Sequence, residues 1–479
     1  MQSSKQHKLQ AGMEFDGYRL EEKLHTGGMA ALWRVTDLRE RHLGKQGMET
    51  AVPPLIMKVP LLFSTDDPTA IVAFEVEQMI MPKLKGQHVP RYFGSGDFDE
   101  QPYIVMEQIA GESLRSRFEQ APLPVDEVVS VGIRVANALQ DLHKQHVIHL
   151  DIKPSNIMFR ADGVAVLIDF GLSRHDRLPD LLDEEFRLPM GTGPYISPEQ
   201  VLGVRNEPRS DLFSLGVLLY HLATGERPFG HPTSVSGLKK RLYRDPIPPR
   251  SHLATIPAWL QEIILRCLEV DPAARFDTAA QLAFLLQHPD QLKLTARAEK
   301  TAQDGYLSVL KRRLQAAGSE PVLQHSVSEQ LSKAPIIVAA LDLANSTEAL
   351  SESLRNITRR MLQTEPGARL ACLTIRKTSR IGMDESLIQQ GENIHVKQLV
   401  DLKHWARPLN LSPDKITFHV IEATDPANAI VDYAHNNGVD HIIIGSRGSS
   451  GIRRYLGSVS AQVVAEAECT VTVVKSQAK

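Results

Sequence analysis

Between His149 and Gly171 the chain reads His149-Leu150-Asp151-Ile152-Lys153-Pro154-Ser155-Asn156 and then, after twelve further residues, Asp169-Phe170-Gly171. A carboxylate, an ammonium and a carboxamide thus fall within six positions, and a second carboxylate follows closely. That set suits phosphoryl transfer, which needs an acceptor for the attacking hydroxyl's proton, magnesium ligands and positive charge on the phosphates. Asp151 can orient the hydroxyl and take its proton. Asn156 and Asp169 are hard oxygen ligands for Mg²⁺. Lys153 can neutralise charge on the moving phosphoryl group.

The pattern around this segment is uneven. From Gly17 to about Lys58 apolar residues alternate in the manner of strands, interrupted by a polar stretch at Arg39–Thr50 that reads as a loop insertion. Phe74–Leu84 reads as a helix and Tyr103–Met106 as a strand. From Val125 onward a helical period takes over, carried by Val128, Val131, Val135, Leu139 and Leu142. A strand-rich part followed by a helix-rich part predicts two unequal lobes. The character changes near Pro289: residues 291–333 are charged, and Leu307, Leu310 and Leu314 can line one face of a solvated linker helix. From Ala334 short apolar strands alternate with helices: Pro335–Asp342, a helix at Ser346–Leu362, Ala368–Ile375, Ile416–Glu422, a helix at Pro426–Asn436, His441–Ser446, a helix at Val459–Glu466 and Thr470–Lys475. Such alternation predicts a parallel sheet covered on both faces.

The first block resembles the protein kinase family over roughly residues 13–288. Its catalytic loop and D-F-G motif correspond to the residues quoted above, and the remaining pieces follow in family order. Lys58 in PLIMKV resembles the strand lysine that holds the nucleotide's phosphates, and Glu77 in FEVEQ the helix glutamate that pairs with it. Met106 and Glu107 resemble the gatekeeper and the start of the hinge, whose backbone would bind adenine; Ile109 is included with them. Gly191-Thr192 and Ser197-Pro198-Glu199 resemble the segment closing the activation loop. Asp211 resembles the aspartate bracing the catalytic loop, and Arg275 the partner of Glu199. Lys153, two residues after Asp151, follows the serine/threonine pattern. The resemblance implies an α+β bilobal kinase fold, ATP with Mg²⁺ (or Mn²⁺) as cofactors, and protein serine or threonine as acceptor.

The sequence departs from the family at three places. The glycine-rich loop reads Leu24-His25-Thr26-Gly27-Gly28-Met29-Ala30, so His25 and Ala30 stand where glycines are expected. Gly27 and Gly28 remain to let backbone amides approach phosphates, and His25 reads as a solvent-facing side chain. Leu150 replaces the arginine that often pairs with an activation-loop phosphate. The loop Leu172–Met190 has Ser173 as its only hydroxyl residue and carries Asp180, Asp183, Glu184 and Glu185 instead. Activity independent of loop phosphorylation is therefore expected. The acidic run reads as a solvated charged loop, with phosphate mimicry as the alternative. The glycine loop and Leu150 also leave open a pseudokinase scaffold, a nucleotide sensor without catalysis.

The second signal is Gly445-Ser446-Arg447-Gly448, then Gly457-Ser458 opening a helix. Small residues at a strand end let amides reach a phosphate, and a helix N-terminus adds partial positive charge. Asp342 ends the first strand at the same edge. Residues 334–476 resemble the universal stress protein family, which implies an α/β flavodoxin- or Rossmann-like domain. Asp342, Gly445, Gly448, Gly457 and Ser458 would then bind ATP or another adenine nucleotide. Gly448 and Gly457 are separated by eight residues, one fewer than the family's ATP-binding pattern. Family members often dimerise through the last strand, here Thr470–Lys475, so a homodimer is expected there.

The expected organisation is a leader at 1–12, a kinase domain at 13–288, a charged, partly helical linker at 289–333 and a universal stress domain at 334–479. A net charge of −3 over 479 residues speaks against a dedicated nucleic-acid binder. The polar N-terminus shows no secretory signal, and no apolar run is long enough to span a membrane. A cytoplasmic protein is expected, linked to stress signalling through its second domain. Cys267, Cys372 and Cys469 lie far apart and read as buried small hydrophobes rather than a zinc site.

Overall fold

The computed structural model describes residues 9–39, 53–61, 68–186, 188–317, 334–378, 393–446 and 457–475. Most of the expected leader, nearly all of the insertion at 39–50 and Gly448 lie outside them. Among the described residues the first lobe is a six-stranded antiparallel sheet, ordered Glu14–Phe15, Tyr18–Thr26, Ala30–Asp37, Leu55–Pro60, Tyr103–Glu107 and Tyr92–Gly96. Period-two alternation gives it two apolar faces. Tyr103 and Val105 join Tyr18, Trp33 and Met57 on one face, while Ile104 and Met106 pack with Ile71, Phe74 and Val76 on the other.

The helix expected at Phe74–Leu84 runs instead from Pro68 to Ile80, and a 3-10 turn, Met81–Lys83, follows it. Proline explains both ends. Pro68 sits in the first turn, where its missing N–H costs nothing, whereas Pro82 cannot donate to a continuing helix. In the second lobe the helix Val125–Lys144 buries Val128, Val131, Val135, Leu139 and Leu142, the expected stripe, against Arg209–Thr224 and Ala279–Gln287. Acids in its first turn and His143 and Lys144 in its last complement the helix dipole.

The segment after Pro289 differs from the expected linker, because its first part is seated on the large domain. Gln261 donates to the carbonyls of Arg297, Ala298 and Lys300, Thr295 and Arg297 bind Glu262, and Lys300 and Arg312 pair with Asp245. Polar backbone and charge, rather than apolar side chains, fasten it, so hydropathy gave no sign of it. Leu307 and Leu314 on the helix Tyr306–Ala317 are exposed, as a solvated helix requires.

The C-terminal sheet is five-stranded and wholly parallel among the described residues. Its order is Ile416–Ala423, Arg369–Lys377, Ile336–Leu341, His441–Ser446 and Thr470–Lys475. The order reverses between Ile336–Leu341 and His441–Ser446, so the strand ends at Asp342 and Ser446 flank a topological switch point. The sheet carries one helix the sequence pattern did not reveal, Ile394–Ala406, whose cap Asn393 accepts from the His395 and Val396 amides. Cys267 and Cys372 are buried and Cys469 half-buried. One contiguous apolar cluster runs from Val72 and Phe74 in the first lobe to Leu399, Leu402 and Trp405 of that helix. No helix among the described residues is long and apolar enough to cross a membrane.

Candidate active site

The residues expected to act on a nucleotide converge from separate elements. Lys58 on the strand Leu55–Pro60 places Nζ 2.5 Å from Glu77 Oε2 and 2.8 Å from Asp169 Oδ1. Burial alone disfavours the Lys58 charge, but the two carboxylates outweigh it and raise its pKa. The Lys58 ammonium in turn holds the Asp169 carboxyl down to about 2. Both groups are therefore ionised at neutral pH. The helix bearing Glu77 approaches the D-F-G segment closely: a Cβ on Gly171 would lie 3.1 Å from the Ala73 carbonyl oxygen. That glycine leaves room for the helix to bring Glu77 to Lys58.

Asp151 is the centre of a second network. Its Oδ2 accepts from Lys153 Nζ at 2.6 Å and from Asn156 Nδ2 at 3.1 Å, and its Oδ1 from the Thr192 hydroxyl at 2.7 Å. Lys153 also reaches Thr192 Oγ1 at 3.2 Å. Thr192 thus donates to the carboxylate expected to meet a substrate hydroxyl, a contact the motif reading gave only in outline. The loop is fixed from below by buried Asp211, which accepts from the His149 and Leu150 amides at 2.9 and 2.8 Å and pairs with His143 Nε2 at 2.8 Å. Burial would raise the Asp211 carboxyl, but His143 and the His149 amide outweigh it, and it stays below its ordinary value. Leu150 and Asp169 both adopt positive φ, 61° and 68°. Such backbone strain in non-glycine residues gathers at functional sites.

The segment after Thr192 is held as the motif order implies. Arg275 grips Glu199 bidentately at 2.6 and 2.7 Å with its side chain fully buried, and Gln200 donates to the Leu150 carbonyl at 2.9 Å. Sequence reasoning missed Arg241, fully buried, which donates to the carbonyls of Ile196 and Gly193. It stands in the basic run Lys239-Lys240-Arg241, where nothing in the sequence singles it out.

At the nucleotide end, Gly27 and Gly28 form the turn between the first two long strands; Gly27 N donates to Ala30 O at 2.9 Å, and His25 is exposed as expected. Met106 is buried, Glu107 is bound by Arg160, and Ile109 is half-buried at the lobe junction. For Mg²⁺, Asn156 is buried in the loop and Asp169 keeps its side chain 44% exposed, with no hydrogen bond to Oδ2 among the described residues. No three His, Cys, Asp or Glu side chains among the described residues are placed to hold a metal ion by themselves. A carboxylate and an amide completed by substrate phosphates and water match the way Mg²⁺ is usually bound.

The acidic run of the activation loop departs from the solvated loop the sequence suggested. Asp180 caps the helix Leu181–Glu185 and is gripped by Arg205 at 2.9 Å. Glu184 and Glu185 are buried against the C-terminal domain. Charge composition alone carries no record of these long-range partners.

In the C-terminal domain, Asp342, Gly445, Gly457 and Ser458 gather at the switch point. Gly457 N lies 3.4 Å from Ser446 Oγ, and Ser458 opens the helix Ser458–Glu466. Gly445 has a packing reason as well, since a Cβ there would meet Leu350 Cδ2 at 3.1 Å. Thr470–Lys475 is an edge strand among the described residues.

In comparison with known proteins, residues 64–289 match the protein kinase domain and residues 333–475 match the universal stress protein family. A probable serine/threonine-protein kinase of Clostridium perfringens is 33% identical over 232 residues, 48% of this chain and 34% of its own length. Serine/threonine-protein kinase PknB of Mycobacterium tuberculosis is 30% identical over 298 residues, 60% of this chain and 46% of its own. The chain therefore spans a third to a half of the length of these relatives. Among solved structures, the PknI kinase domain of M. tuberculosis aligns with a TM-score of 0.44 at 23% identity, covering 58% of this chain and 99% of that one.

Proposed function

For a chain that carries a protein kinase domain followed by a universal stress protein domain, we propose the activity of an ATP-dependent serine/threonine protein kinase. The observation that carries this reading is the assembled pair of networks, Lys58–Glu77–Asp169 beside Asp151–Lys153–Thr192. ATP binds between the lobes, its adenine against the backbone of Met106–Ile109 and its phosphates under Gly27 and Gly28. Lys58, oriented by Glu77, takes the phosphate charge. Asn156 and Asp169 would hold Mg²⁺, or Mn²⁺ in its place, which would supply positive charge to the phosphates. Asp151 accepts the proton of the protein serine or threonine hydroxyl, and Lys153 balances charge on the moving phosphoryl group.

The C-terminal domain binds an adenine nucleotide through Asp342, Gly445, Gly457 and Ser458 and couples stress state to the kinase; its free edge strand is the dimerisation surface. The switch-point geometry supports this reading. The test is phosphorylation with labelled ATP and Mg²⁺, the wild type beside Asp151→Asn. Label in the wild type and none in the variant is expected, with mass spectrometry reporting phosphoserine or phosphothreonine. ATP bound but no label in either protein would establish the non-catalytic scaffold instead. A non-hydrolysable ATP analogue binding at two sites per chain is expected; one site would remove the second nucleotide.

A further inference from the structure

The C-terminal domain rests on the two parts of the large domain that most directly shape the catalytic site. One is the helix Pro68–Ile80, which carries Glu77. The other is the short helix Leu181–Glu185 inside the activation loop. Among the described residues, every ion pair across this boundary has its acid on the large domain and its base on the small one. Lys403 meets Glu75 at 2.5 Å, His404 and Arg407 meet Asp99, Arg369 meets Glu184 at 2.8 Å, and His419 meets Glu184 and Glu185 at 3.0 and 2.9 Å. An adventitious contact would mix signs; this one is complementary throughout.

The centre of the boundary is buried. His419 is fully buried, and Glu184 and Glu185 keep only 7% and 4% of their side chains exposed. Nδ1 of His419 lies 2.9 Å from Glu185 Oε1, while Nε2 lies 3.0 Å from Glu184 Oε2 and 2.9 Å from the Thr417 hydroxyl; burial opposes the charged ring, but the two carboxylates favour it. Glu184 also accepts from the Tyr433 hydroxyl at 3.2 Å, and its main-chain carbonyl from Asn437 Nδ2 at 3.3 Å. Two carboxylates are not buried at such a cost unless their partners are supplied. Here the partners come from the other domain.

The lever arms are short. Glu75 and Glu77 are two residues apart, about 200° around the helix. Glu75 therefore faces Lys403 while Glu77 faces Lys58, and fixing one sets the rotation of the other. Glu184 and Glu185 lie between Asp169 and Thr192, eight and seven residues before Thr192, whose hydroxyl is on Asp151. Within the large domain the loop is held at Asp180 by Arg205 and Arg174, at the Leu172 carbonyl by Arg205 and at the Met190 carbonyl by Gln200; Leu150 supplies no cation for it.

Resting on the kinase reading above, we propose that Lys403, Arg369 and His419 are positioning residues for the kinase site. Through Glu75, Glu184 and Glu185 they hold the helix and the activation loop in the assembled state. Carboxylates paired in cis to a second domain thereby take the place of a loop phosphate paired to an arginine. A ligand that shifts the C-terminal domain acts on phosphoryl transfer through these pairs.

The test uses the full-length chain. Lys403→Glu and Glu75→Lys are made singly and together, with Arg369→Gln as an independent probe, and kcat and KM for ATP and a peptide are measured. Each single variant is expected to lower kcat roughly tenfold, within the usual range of coupling between sites. The exchanged pair is expected to return to within about threefold of the wild type. Wild-type kcat in folded single variants, a rise in kcat, or a loss that the exchanged pair does not repair each overturns the proposal. Hydrogen exchange provides a readout independent of turnover: amides of 69–80 and 181–186 should lose protection in Lys403→Glu and in Arg369→Gln, and the Lys403→Glu loss should be regained in the exchanged pair. Unchanged protection refutes the positioning role. A wild type as silent as Asp151→Asn, with protection changing as expected, refutes the kinase reading and leaves the docking intact.

Discussion

Replacing Arg275 with methionine tests whether the activation segment is anchored by a buried ion pair. The guanidinium donates twice to Glu199, at 2.6 and 2.7 Å, and to the carbonyls of Arg209, Glu269 and Val270. The Arg275 side chain is 0% exposed and that of Glu199 7%. Methionine preserves much of the apolar stem and removes the guanidinium, including its 5.0 Å contact with the Phe213 ring, so the change is chiefly one of charge and hydrogen bonding. It leaves Glu199 buried, with the Ser210 hydroxyl as its remaining side-chain partner. Breaking such a pair from one side costs about 3–5 kcal/mol, a large share of the roughly 5–15 kcal/mol that holds a domain together. The assay is hydrogen exchange of the helix Arg209–Thr224 in the full chain, supported by urea unfolding. The expected result is a loss of local opening free energy of about 3 kcal/mol or more. Adding Glu199→Met should recover about 2 kcal/mol, because removing both charges is far less costly than removing one. A single variant within about 0.5 kcal/mol of the wild type, as for an ordinary surface change, would refute the reasoning.

Two further outcomes follow from the structure. Gly171→Ala sets a methyl 3.1 Å from the Ala73 carbonyl; the helix must retreat, at about 1–2 kcal/mol, and the rise in KM for ATP should exceed any change in peptide KM. Docking of the C-terminal domain should weaken with alkali. Burial opposes charge on His419, yet Glu184 and Glu185 raise it from 6.5 to about 9, so its contribution is complete below pH 6.5 and lost as pH rises through about 9. Glu185, pushed up by burial, changes in the same direction, losing its contribution as pH rises above the ordinary carboxyl value of 4.5. Glu184 acts at the other end: burial opposes its charge, but Arg369 and His419 hold it down to about 2, so its share is present above 4.5 and lost as pH falls toward 2. Protection of amides 181–186, corrected for intrinsic exchange, should fall between pH 6.5 and 9.5, and a His419→Gln chain with the same slope would exclude this residue as the cause.

Much of this protein could be read along the chain because its chemistry is local. Asp151, Lys153 and Asn156 lie within six residues, so one loop suffices to gather them. The helix from Val125 repeats its apolar residues at the turn of the helix itself, and the strands of the second domain are short apolar runs that only a covered parallel sheet can bury. Lys58 and Glu77 required the resemblance to a family, since nineteen residues of sequence do not say that they touch.

What sequence could not supply is every pairing made across long separation. The helix Ile394–Ala406 was passed over although its buried Leu399, Leu402, Trp405 and Ala406 recur at helical spacing, and with it went Lys403. The segment after Pro289 looked like a linker because it is fastened by Gln261, Glu262 and Asp245, polar side chains that pattern alone assigns to solvent. The acidic activation loop is the clearest case. A carboxylate run is a solvated loop unless cations are brought to it, and Arg369 and His419 stand 185 and 234 residues away from their nearest partners, Glu184 and Glu185. Local sequence decided which groups could do chemistry; the packing of one domain on the other decided which charges were buried, and by what they were held.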